Sequence, residues 1–141
     1  MLKKFLSVLP SQTVYAHCDI PCGIYDPKVA QTAAATVARM VELIEGLPTA
    51  NLSVEDQAKF IRCVVTKEEH AQKCKTELLI LWTDYFKPEH LEMFPDLHTT
   101  FWKAAKLCSE NKQHINKEAT AKLIASVEGI ADMFAKTKAK K

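Results

Sequence analysis

Two cysteines and a histidine lie within a few residues of each other in the run His17-Cys18-Asp19-Ile20-Pro21-Cys22-Gly23-Ile24-Tyr25. Three residues separate Cys18 from Cys22, so the spacing is not the Cys-x-x-Cys of a thioredoxin-like redox site or a zinc knuckle. Pro21 fixes one backbone angle and Gly23 accepts turn conformations that other residues resist, so the loop can direct both sulfur atoms towards one point. His17 can add a nitrogen donor there. The run therefore predicts a compact metal site, although the spacing alone leaves open a disulfide loop or two buried thiols in a turn.

Residues 17–25 resemble the active-site motif of the nickel superoxide dismutases, whose mature chain begins His-Cys-x-x-Pro-Cys-Gly-x-Tyr. Every fixed position of that motif is present here. The resemblance implies that His17, Cys18 and Cys22 bind one nickel ion per subunit. It also implies dismutation of superoxide to dioxygen and hydrogen peroxide by Ni(III)/Ni(II) cycling. Residues 1–16 would then be a leader that a processing protease removes between Ala16 and His17.

The chemistry of the donors gives a physical reason for that cleavage. An internal His17 offers only its imidazole, whereas an N-terminal one also offers an α-amine with a pKa of about 8. The amine, the amide nitrogen of Cys18 and two thiolates would make a plane of four donors, which suits Ni(II) or Cu(II) better than tetrahedral zinc. The resemblance implies that the His17 imidazole is an axial ligand of the oxidised metal.

A second stretch also resembles the family. It consists of Leu81-Trp82-Thr83-Asp84-Tyr85-Phe86-Lys87-Pro88, then Glu89-His90 and Phe94-Pro95-Asp96-Leu97-His98. In the family this stretch closes over the nickel loop, and Tyr25 and Tyr85 match two tyrosines that line the pocket. The alternative is that both tyrosines are core aromatic residues whose hydroxyl groups are hydrogen-bonded within the protein. Lys87 matches a lysine at the channel mouth that would steer superoxide, although a solvated lysine at a helix C-terminus explains it too.

Four further histidines are distributed along the chain. The resemblance implies that His70 occupies a basic position supporting the His17 imidazole, where a partner would orient the ligand and tune its basicity. A lone helix histidine is otherwise an ordinary surface or core residue. Ala33 stands where some members of the family carry a glutamate that also contacts the imidazole, so His17 is expected to be held less firmly or by water. The remaining three lack metal-ligand spacing and are interpreted as structural: His90, His98 and His114.

The elements that must position these residues are predicted to be helices. The chain has 141 residues, 48% of them hydrophobic and 26% charged, which suits one globular domain, and only 3 glycines, which argues against a turn-rich β fold. Asp26 as N-cap and Pro27 at the first helical position begin a helix that ends at Gly46 and Pro48. Its apolar face repeats at three- and four-residue steps: Val29, Ala33, Val37, Met40, Val41 and Ile44.

Three more helices follow in the pattern. The second begins at the capping-box-like run Ser53-Val54-Glu55-Asp56 and stops before Pro88. Its predicted inward residues are Ala58, Ile61, Val65, Cys74, Leu78, Leu81, Trp82 and Tyr85. The third begins at Pro95 and reaches about Ser109, with inward residues Leu97, Phe101, Ala104, Ala105 and Cys108. The fourth is capped by Asn116, with inward residues Ala119, Leu123, Ile124, Val127, Ile130, Ala131 and Phe134. Short connections predict an all-α, antiparallel up-down four-helix bundle over residues 17–141.

Charge and leader composition bear on partners and location. There are 19 Lys and Arg against 17 Asp and Glu, and Lys3 and Lys4 account for the excess, so nothing indicates a nucleic acid partner. The apolar run at residues 5–9 is interrupted by Ser7 and stops at Pro10, well short of a secretory h-region of roughly 7–15 residues. We therefore expect a cytoplasmic protein without a membrane span. The lysines near the C-terminus are expected to form a solvated, frayed end.

Five cysteines are an odd number, which argues against a full disulfide framework. Cys63, Cys74 and Cys108 fall inside helical patterns and are predicted to be small core residues without a metal role. The family resemblance implies a homohexamer. A non-enzymatic protein that binds or delivers nickel or copper is the alternative function, but a carrier has no need of Tyr25, Tyr85 or Lys87, so the enzyme is favoured.

Overall fold

The computed structural model describes residues 23–139. The elements of this part of the chain are α1 (Lys28–Glu45), α2 (Val54–Ile80), a π-helical turn (Leu81–Tyr85), α3 (His90–Met93), α4 (Leu97–Gln113) and α5 (Lys117–Ala139). In the bundle formed by the four long helices, α1 contacts α2 and α5, and α4 contacts the same two helices. The predicted all-α four-helix bundle is confirmed. None of the helices described in residues 23–139 is both long enough and apolar enough to cross a membrane.

The start of α1 depends on the predicted Asp-Pro pair. Pro27 already has helical angles, with φ −70° and ψ −8°, although the helix is assigned from the next residue. The Asp26 Oδ1 accepts a hydrogen bond of 2.7 Å from the Lys28 backbone N–H. Asp26 therefore satisfies one of the N–H groups that the first helical turn leaves without a partner.

The other two predicted caps are present as well. The Ser53 Oγ accepts from the Asp56 backbone N–H at 3.0 Å, and its hydroxyl donates to the Asp56 carboxylate at 2.9 Å. The Asn116 Oδ1 accepts from the Ala119 backbone N–H at 3.1 Å. Local side-chain chemistry thus determines where α2 and α5 begin.

The core is formed by the inward faces of the four long helices. On α1, Ala33, Val37, Val41 and Ile44 of the predicted face are buried, whereas Met40 is half-buried and Val29 is 39% exposed. The largest apolar side chains with under 2% exposure are Phe101, Leu78, Leu97, Leu123, Ile130, Val37, Val41 and Val127. Cys63, Cys74 and Cys108 are free thiols and are buried, as predicted.

The predicted apolar face of α2 is wrong in its first half. Ile61 is 60% exposed and Val65 is 49% exposed. The residues that this helix buries are Cys63, Lys67, Ala71, Cys74 and Leu78. Lys67 occupies a core-facing position, so the side of the helix that is buried has a polar residue in its sequence pattern. The apolar residues Ile61 and Val65, on the neighbouring side, were therefore predicted to face the core.

Lys67 is buried because its ammonium group completes the C-terminal end of α4. Its Nζ donates to the carbonyl oxygens of Asn111 at 2.6 Å, Lys112 at 3.0 Å and His114 at 3.2 Å. The last carbonyls of a helix lack partners within the helix and carry partial negative charge, so a cation suits them. Burial lowers the pKa of Lys67. The contact also accounts for the extension of α4 beyond the predicted end at Ser109.

The end of α2 is a π-helical turn. The Phe86 backbone N–H donates to the Leu81 carbonyl oxygen at 3.1 Å, five residues earlier, and Phe86 then turns to extended angles of φ −73° and ψ 137°. The chain leaves the helix before Pro88, as predicted, because the residue preceding a proline avoids helical angles. The short helix α3 was not predicted, and α4 begins two residues after Pro95.

Candidate metal centre

The predicted ligands His17, Cys18 and Cys22 lie outside the described residues. The description begins at Gly23, whose φ of 110° is a conformation that residues with a side chain rarely adopt. Gly23 therefore adopts a turn conformation of the kind that the sequence analysis expected it to permit. Within residues 23–139, no group of three His, Cys, Asp or Glu side chains is arranged to hold a metal ion.

Tyr25 and Tyr85 lie against each other. Their ring centroids are 5.8 Å apart and the rings are tilted by 57°. Tyr25 follows the predicted ligand segment by three residues, and Tyr85 ends the π-helical turn of α2. The C-terminal end of the first stretch that carries the family resemblance thus contacts the second, although Tyr25 and Tyr85 are sixty residues apart in the chain.

The Tyr85 hydroxyl is held by a short relay of hydrogen bonds. Its oxygen lies 2.6 Å from the Thr137 Oγ1. The Thr137 hydroxyl donates its one proton to the Phe134 carbonyl oxygen at 2.7 Å, so Tyr85 must be the donor to Thr137. The Tyr85 oxygen keeps its lone pairs and therefore acts as an acceptor towards any further group.

Aromatic rings surround the remainder of Tyr85. The ring centroid of Phe134 is 4.5 Å away, that of Phe86 is 5.1 Å away at right angles, and that of His90 is 5.9 Å away in a stacked arrangement. Such contacts hold the ring in one position, so the oxygen of Tyr85 is fixed rather than free to rotate with the side chain.

Lys87 is exposed and follows the π-helical turn. Its side chain lines a cavity of about 370 Å³ whose other lining residues include Trp82, Phe86, Leu91 and His98. The backbone N–H of Lys87 donates to the His90 Nδ1 at 3.1 Å. Among the described residues, Lys87 is thus the one basic residue other than histidine in the lining of this cavity.

His90 and His98 each accept a hydrogen bond through Nδ1. The donors are the Lys87 backbone N–H at 3.1 Å and the Trp82 indole N–H at 2.9 Å. In both rings Nδ1 is therefore already engaged by a donor of the protein itself. The contacts support the interpretation of these two histidines as structural.

Lys138 lies over the Tyr85 ring, a contact that the sequence interpretation missed. Its ammonium nitrogen lies 5.6 Å from the centroid of the Tyr85 ring and 5.2 Å from that of Phe134. These are cation–π distances. The expectation of a frayed end is wrong for Lys136 and Lys138, because α5 continues to Ala139. A lysine-rich tail gives no sequence signal that one lysine meets an aromatic cluster.

His70 lies elsewhere on α2, roughly 15 Å along the helix axis from Leu81. Its Nδ1 is 2.9 Å from the Thr66 carbonyl oxygen, which only accepts, so Nδ1 is the donor in this contact. His70 and Ala33 line one cavity of about 210 Å³, together with Lys28, Val29, Thr32 and Lys73. The two positions that the resemblance assigned to support of the His17 imidazole therefore share a cavity, which lacks Tyr85 and Lys87.

A family model for nickel-containing superoxide dismutase matches residues 12–138. The chain belongs to the nickel-containing superoxide dismutase family. The match covers both stretches that carry the resemblance and all four long helices.

Curated relatives agree with this assignment. The superoxide dismutase [Ni] of Streptomyces seoulensis is 37% identical over 130 residues, which are 92% of this chain and 93% of the relative. The superoxide dismutase [Ni] of Streptomyces coelicolor is 35% identical over the same shares of the two chains. The enzyme family is thus shown by sequence over almost the whole length.

The fold matches solved members of the family as well. A crystal structure of a Ni-containing superoxide dismutase after partial X-ray-induced reduction superposes with a TM-score of 0.74 at 38% identity, covering 86% of this chain and 98% of that one. Other solved members are variants of a histidine, of an aspartate two residues beyond it and of a tyrosine eight residues beyond it. His17, Asp19 and Tyr25 have the same spacing in this nickel superoxide dismutase homologue.

The residues present fit nickel. Thiolates from two cysteines, together with histidine nitrogen, are the soft and borderline donors that bind late first-row metals, and tetragonal N and S geometry suits Ni(II). Tyr25 is partly buried against the core and contacts the Tyr85 ring, which anchors the C-terminal end of residues 17–25 on the bundle. A short loop held at one end by rigid elements can keep a fixed geometry.

Proposed function

We propose that this chain is the catalytic subunit of a nickel-dependent superoxide dismutase that converts superoxide to dioxygen and hydrogen peroxide. The observation that carries the proposal is the contact of Tyr25 with Tyr85, which joins the end of the ligand segment to the stretch that closes over the metal in the family. Membership of the family supplies the reaction. The spacing of the residues varied in solved relatives supports the ligand segment itself.

His17, Cys18 and Cys22 would hold one nickel ion per subunit, and the α-amine of His17 and the amide nitrogen of Cys18 would be further donors. Nickel supplies one-electron redox chemistry by alternating between Ni(III) and Ni(II). The thiolates and the amide nitrogen are electron-rich donors, which favour the higher oxidation state. His70 and the cavity it shares with Ala33 are proposed to support the imidazole of His17.

Tyr25 and Tyr85 are proposed to order water and peroxide beside the ligand segment. Because the Tyr85 hydroxyl donates to Thr137, its oxygen can accept a hydrogen bond from a protonated product or from water. The rings of Phe86, His90 and Phe134 around it narrow the space open to bulk water. Protons for peroxide would come from water that these groups hold.

Lys87 and Lys138 are proposed to attract superoxide by their charge. Lys87 lines the cavity beside the π-helical turn, and the Lys138 ammonium lies over the Tyr85 ring. Both are exposed, so each contributes to the encounter rate through a field that dissolved salt weakens.

Maturation, assembly and location belong to the same proposal. We propose that residues 1–16 are a leader, that a dedicated protease exposes His17, and that the mature subunit works in the cytoplasm as a homohexamer. The position of the motif at His17 supports a leader at residues 1–16, and the weakly apolar character of that leader supports a cytoplasmic location. The family resemblance supports the processing protease and the homohexamer.

One experiment separates the enzyme from a metal carrier. Leader-free protein with a verified N-terminal His17 is loaded with nickel, and both the nickel content and the rate of superoxide decay are measured. Stoichiometric nickel with fast decay is expected for the enzyme. Bound nickel without dismutation would leave only the carrier.

A further inference from the structure

An open apolar groove lies between the C-terminal end of α1 and the start of α2, and we call it the α1–α2 groove. Its volume is about 450 Å³, and most of its walls are apolar side chains: Ile44, Leu47, Pro48, Leu52, Phe60 and Ile61. Phe60 is 38% exposed and Ile61 is 60% exposed, although both are large apolar residues. The mechanism proposed above uses none of them. Contiguous exposed apolar surface of this kind marks a binding site.

Hydrogen bonds hold the connection between the two helices in an open arrangement. The Leu47 backbone N–H donates to the Ile44 carbonyl oxygen at 3.1 Å. The Gln57 Nε2 donates to the Leu52 carbonyl oxygen at 3.2 Å. Asn51 has a φ of 55°, a left-handed conformation that asparagine tolerates better than most residues. The connection thus has a defined shape that leaves the apolar walls of the groove partly uncovered.

The charges around the groove favour a cationic ligand. Among the described residues that line it, Glu45 alone is charged, and it is exposed. The last turn of α1 contains no basic residue, so the partial negative charge of its final carbonyl groups is not offset within the helix. The positive end of α2 is nearby, but Glu55 and Asp56 in its first turn offset that charge. A ligand with apolar and positively charged side chains therefore suits the groove.

The N-terminal segment of this chain, residues 2–9, has that composition. Its apolar residues are Leu2, Phe5, Leu6, Val8 and Leu9. Its charged residues are Lys3 and Lys4, and it contains no acidic residue that would repel Glu45. The segment belongs to the leader and has no part in the proposed metal chemistry.

The chain is long enough to bring this segment to the groove. Residues 9 and 23 are 14 backbone steps apart, which span up to roughly 46 Å at about 3.3 Å each. Gly23 precedes the first residue of α1 by five positions, and the groove lies at the other end of that helix. With 18 residues, α1 is roughly 27 Å long. An extended chain that runs back along α1 therefore reaches the groove.

We propose that residues 2–9 dock in the α1–α2 groove of their own chain while the leader is attached. The apolar side chains of the segment cover Phe60 and Ile61, and its two lysines lie near Glu45 and the C-terminal end of α1. The proposal rests on the proposed function only for the later removal of the leader.

The tether makes docking a property of the uncleaved chain. A short apolar peptide binds weakly on its own, whereas attachment by a short flexible linker gives it an effective concentration of about millimolar. Cleavage between Ala16 and His17 removes the tether, so the segment leaves the groove. Until then, the junction of these two residues lies between two points fixed on the bundle, which presents it on the surface to the protease.

The test uses the full chain without nickel, with Phe5 replaced by the photoreactive residue p-benzoylphenylalanine. After irradiation and tryptic digestion, peptide 5–28 is expected to be joined to peptide 40–59 or 60–62, which carry the walls of the groove. The matched control has the photoreactive residue at Tyr15, in the same tryptic peptide but outside the docking segment, and should give these cross-links in severalfold lower yield. Equal yields from the two positions, or cross-links from position 5 mainly to the rest of the bundle, would overturn the proposal.

Isotopic labelling identifies the chain that supplies the segment. Labelled and unlabelled chains are mixed in equal amounts and folded together before irradiation. Docking within one chain gives cross-linked peptides that are both labelled or both unlabelled. Mixed pairs would show that a second copy fills the groove, and would overturn docking within the chain. Neither nickel nor superoxide enters the test, so its failure would leave the proposed dismutase activity standing, and an inactive leader-free protein would leave the docking standing.

Substitutions test the walls of the groove, after circular dichroism has shown that each variant retains its helices. Ile61→Asp places a charge on a wall that is already 60% exposed, so the cross-link yield from position 5 should fall severalfold. Ile115→Asp is the matched control, since Ile115 is 42% exposed but does not line the groove, and it should leave the yield unchanged. An unchanged yield in Ile61→Asp would contradict the groove as the docking site.

A charge exchange tests the orientation of the segment. Glu45→Lys should lower the cross-link yield from position 5, because it places a like charge beside the two lysines of the segment. Lys3→Glu combined with Lys4→Glu should restore the yield in the Glu45→Lys background. Failure of the exchange to restore it would contradict the placement of these lysines near Glu45. The cross-link in the chain without groove substitutions tests the docking even where a variant fails to fold.

Discussion

The Tyr85 hydroxyl donates a hydrogen bond to the Thr137 Oγ1 over 2.6 Å, and Thr137 in turn donates to the Phe134 carbonyl oxygen. This relay joins the π-helical turn at the end of α2 to the last turn of α5. The relay makes the Tyr85 hydroxyl the donor to Thr137 and leaves the lone pairs of the Tyr85 oxygen able to accept hydrogen bonds. The chemistry proposed for Tyr85 thus depends on a threonine that is far away in sequence.

Replacing Thr137 by valine keeps the shape of the side chain but removes the acceptor. We expect Thr137→Val to lower the free energy of unfolding by about 1 kcal/mol, the usual net value of one such bond. Superoxide turnover should fall severalfold at unchanged nickel content, because the Tyr85 hydroxyl is no longer fixed. In a Tyr85→Phe background the same substitution should have no further effect on turnover. An equal loss in both backgrounds would show that Thr137 does not act through Tyr85.

Charge steering by Lys87 and Lys138 is testable through its dependence on salt. Each substitution by alanine should lower the second-order rate roughly two- to fivefold at low ionic strength and flatten its salt dependence, with bound nickel unchanged. At 0.1 M salt the Debye length is about 10 Å, so the difference between variant and unsubstituted protein should shrink. The measurement is superoxide decay by pulse radiolysis.

Lys59→Ala is the control for steering, since Lys59 is also exposed on α2 but lies roughly 30 Å along the helix axis from Leu81. It should leave the rate and the salt profile unchanged. If Lys59→Ala flattened the profile as much as Lys87→Ala does, net charge rather than local steering would be responsible. Lys87 would then be an ordinary surface lysine.

Lys67 makes the bundle depend on one buried cation. Lys67→Met preserves most of the side-chain volume but leaves the carbonyls of Asn111, Lys112 and His114 without their donor. We expect a loss of roughly 3 kcal/mol in the free energy of unfolding, measured by urea titration, because buried acceptors without partners are costly. Lys59→Met, on the exposed side of the same helix, should change stability by less than about 0.5 kcal/mol.

The sequence predicted the fold where local chemistry determines it. The caps at Ser53 and Asn116 depend on contacts within three residues, and their positions were correct. Asp26 does accept from the Lys28 N–H, but α1 begins one residue later than predicted, with Pro27 as its N-cap. The inward face of α2 was not predictable, because Lys67 is buried only through carbonyls that arrive from α4. Apolar periodicity carries no information about such a long-range partner.

In the candidate site, too, some features were predictable from the sequence and others depend on long-range contacts. The adjacency of Tyr25 and Tyr85 was expected from the family resemblance. The position of Lys138 over the Tyr85 ring was not expected, since this contact depends on how far α5 continues and on how α5 is rotated about its axis. Nor does the sequence show that Thr137, a buried polar residue in a lysine-rich end, receives the tyrosine proton.

The cysteines divide into two groups with different expected effects on metal. Cys18→Ser or Cys22→Ser should each abolish nickel binding, because each removes a thiolate that stabilises the oxidised metal. Cys63→Ser should retain nickel and activity, with at most a small loss of stability from its buried position. Nickel per subunit by plasma mass spectrometry decides the question. Full activity in Cys18→Ser would exclude the proposed ligand set.

The chain with residues 1–16 attached should be an inactive precursor. In that form the nitrogen of His17 is a peptide amide, which donates poorly to a metal unless it is deprotonated, and the leader occupies space beside the ligands. The bundle should form regardless, because the core that the four long helices build within residues 23–139 consists of their own side chains, from Ala30 onward. Circular dichroism should therefore give the same helix content before and after cleavage.

Cleavage between Ala16 and His17 in the presence of nickel is expected to switch on dismutase activity. It should also produce the electron paramagnetic resonance signal of Ni(III) with an axial nitrogen ligand. The comparison requires uncut protein and protein whose N-terminal residue is verified as His17, at equal nickel. A third sample, cut so that one extra alanine precedes His17, separates loss of the leader's bulk from exposure of the amine. Only the sample with a free His17 should be active, because only there does the amine complete the donor plane; equal activity in all three would rule the amine out as a ligand.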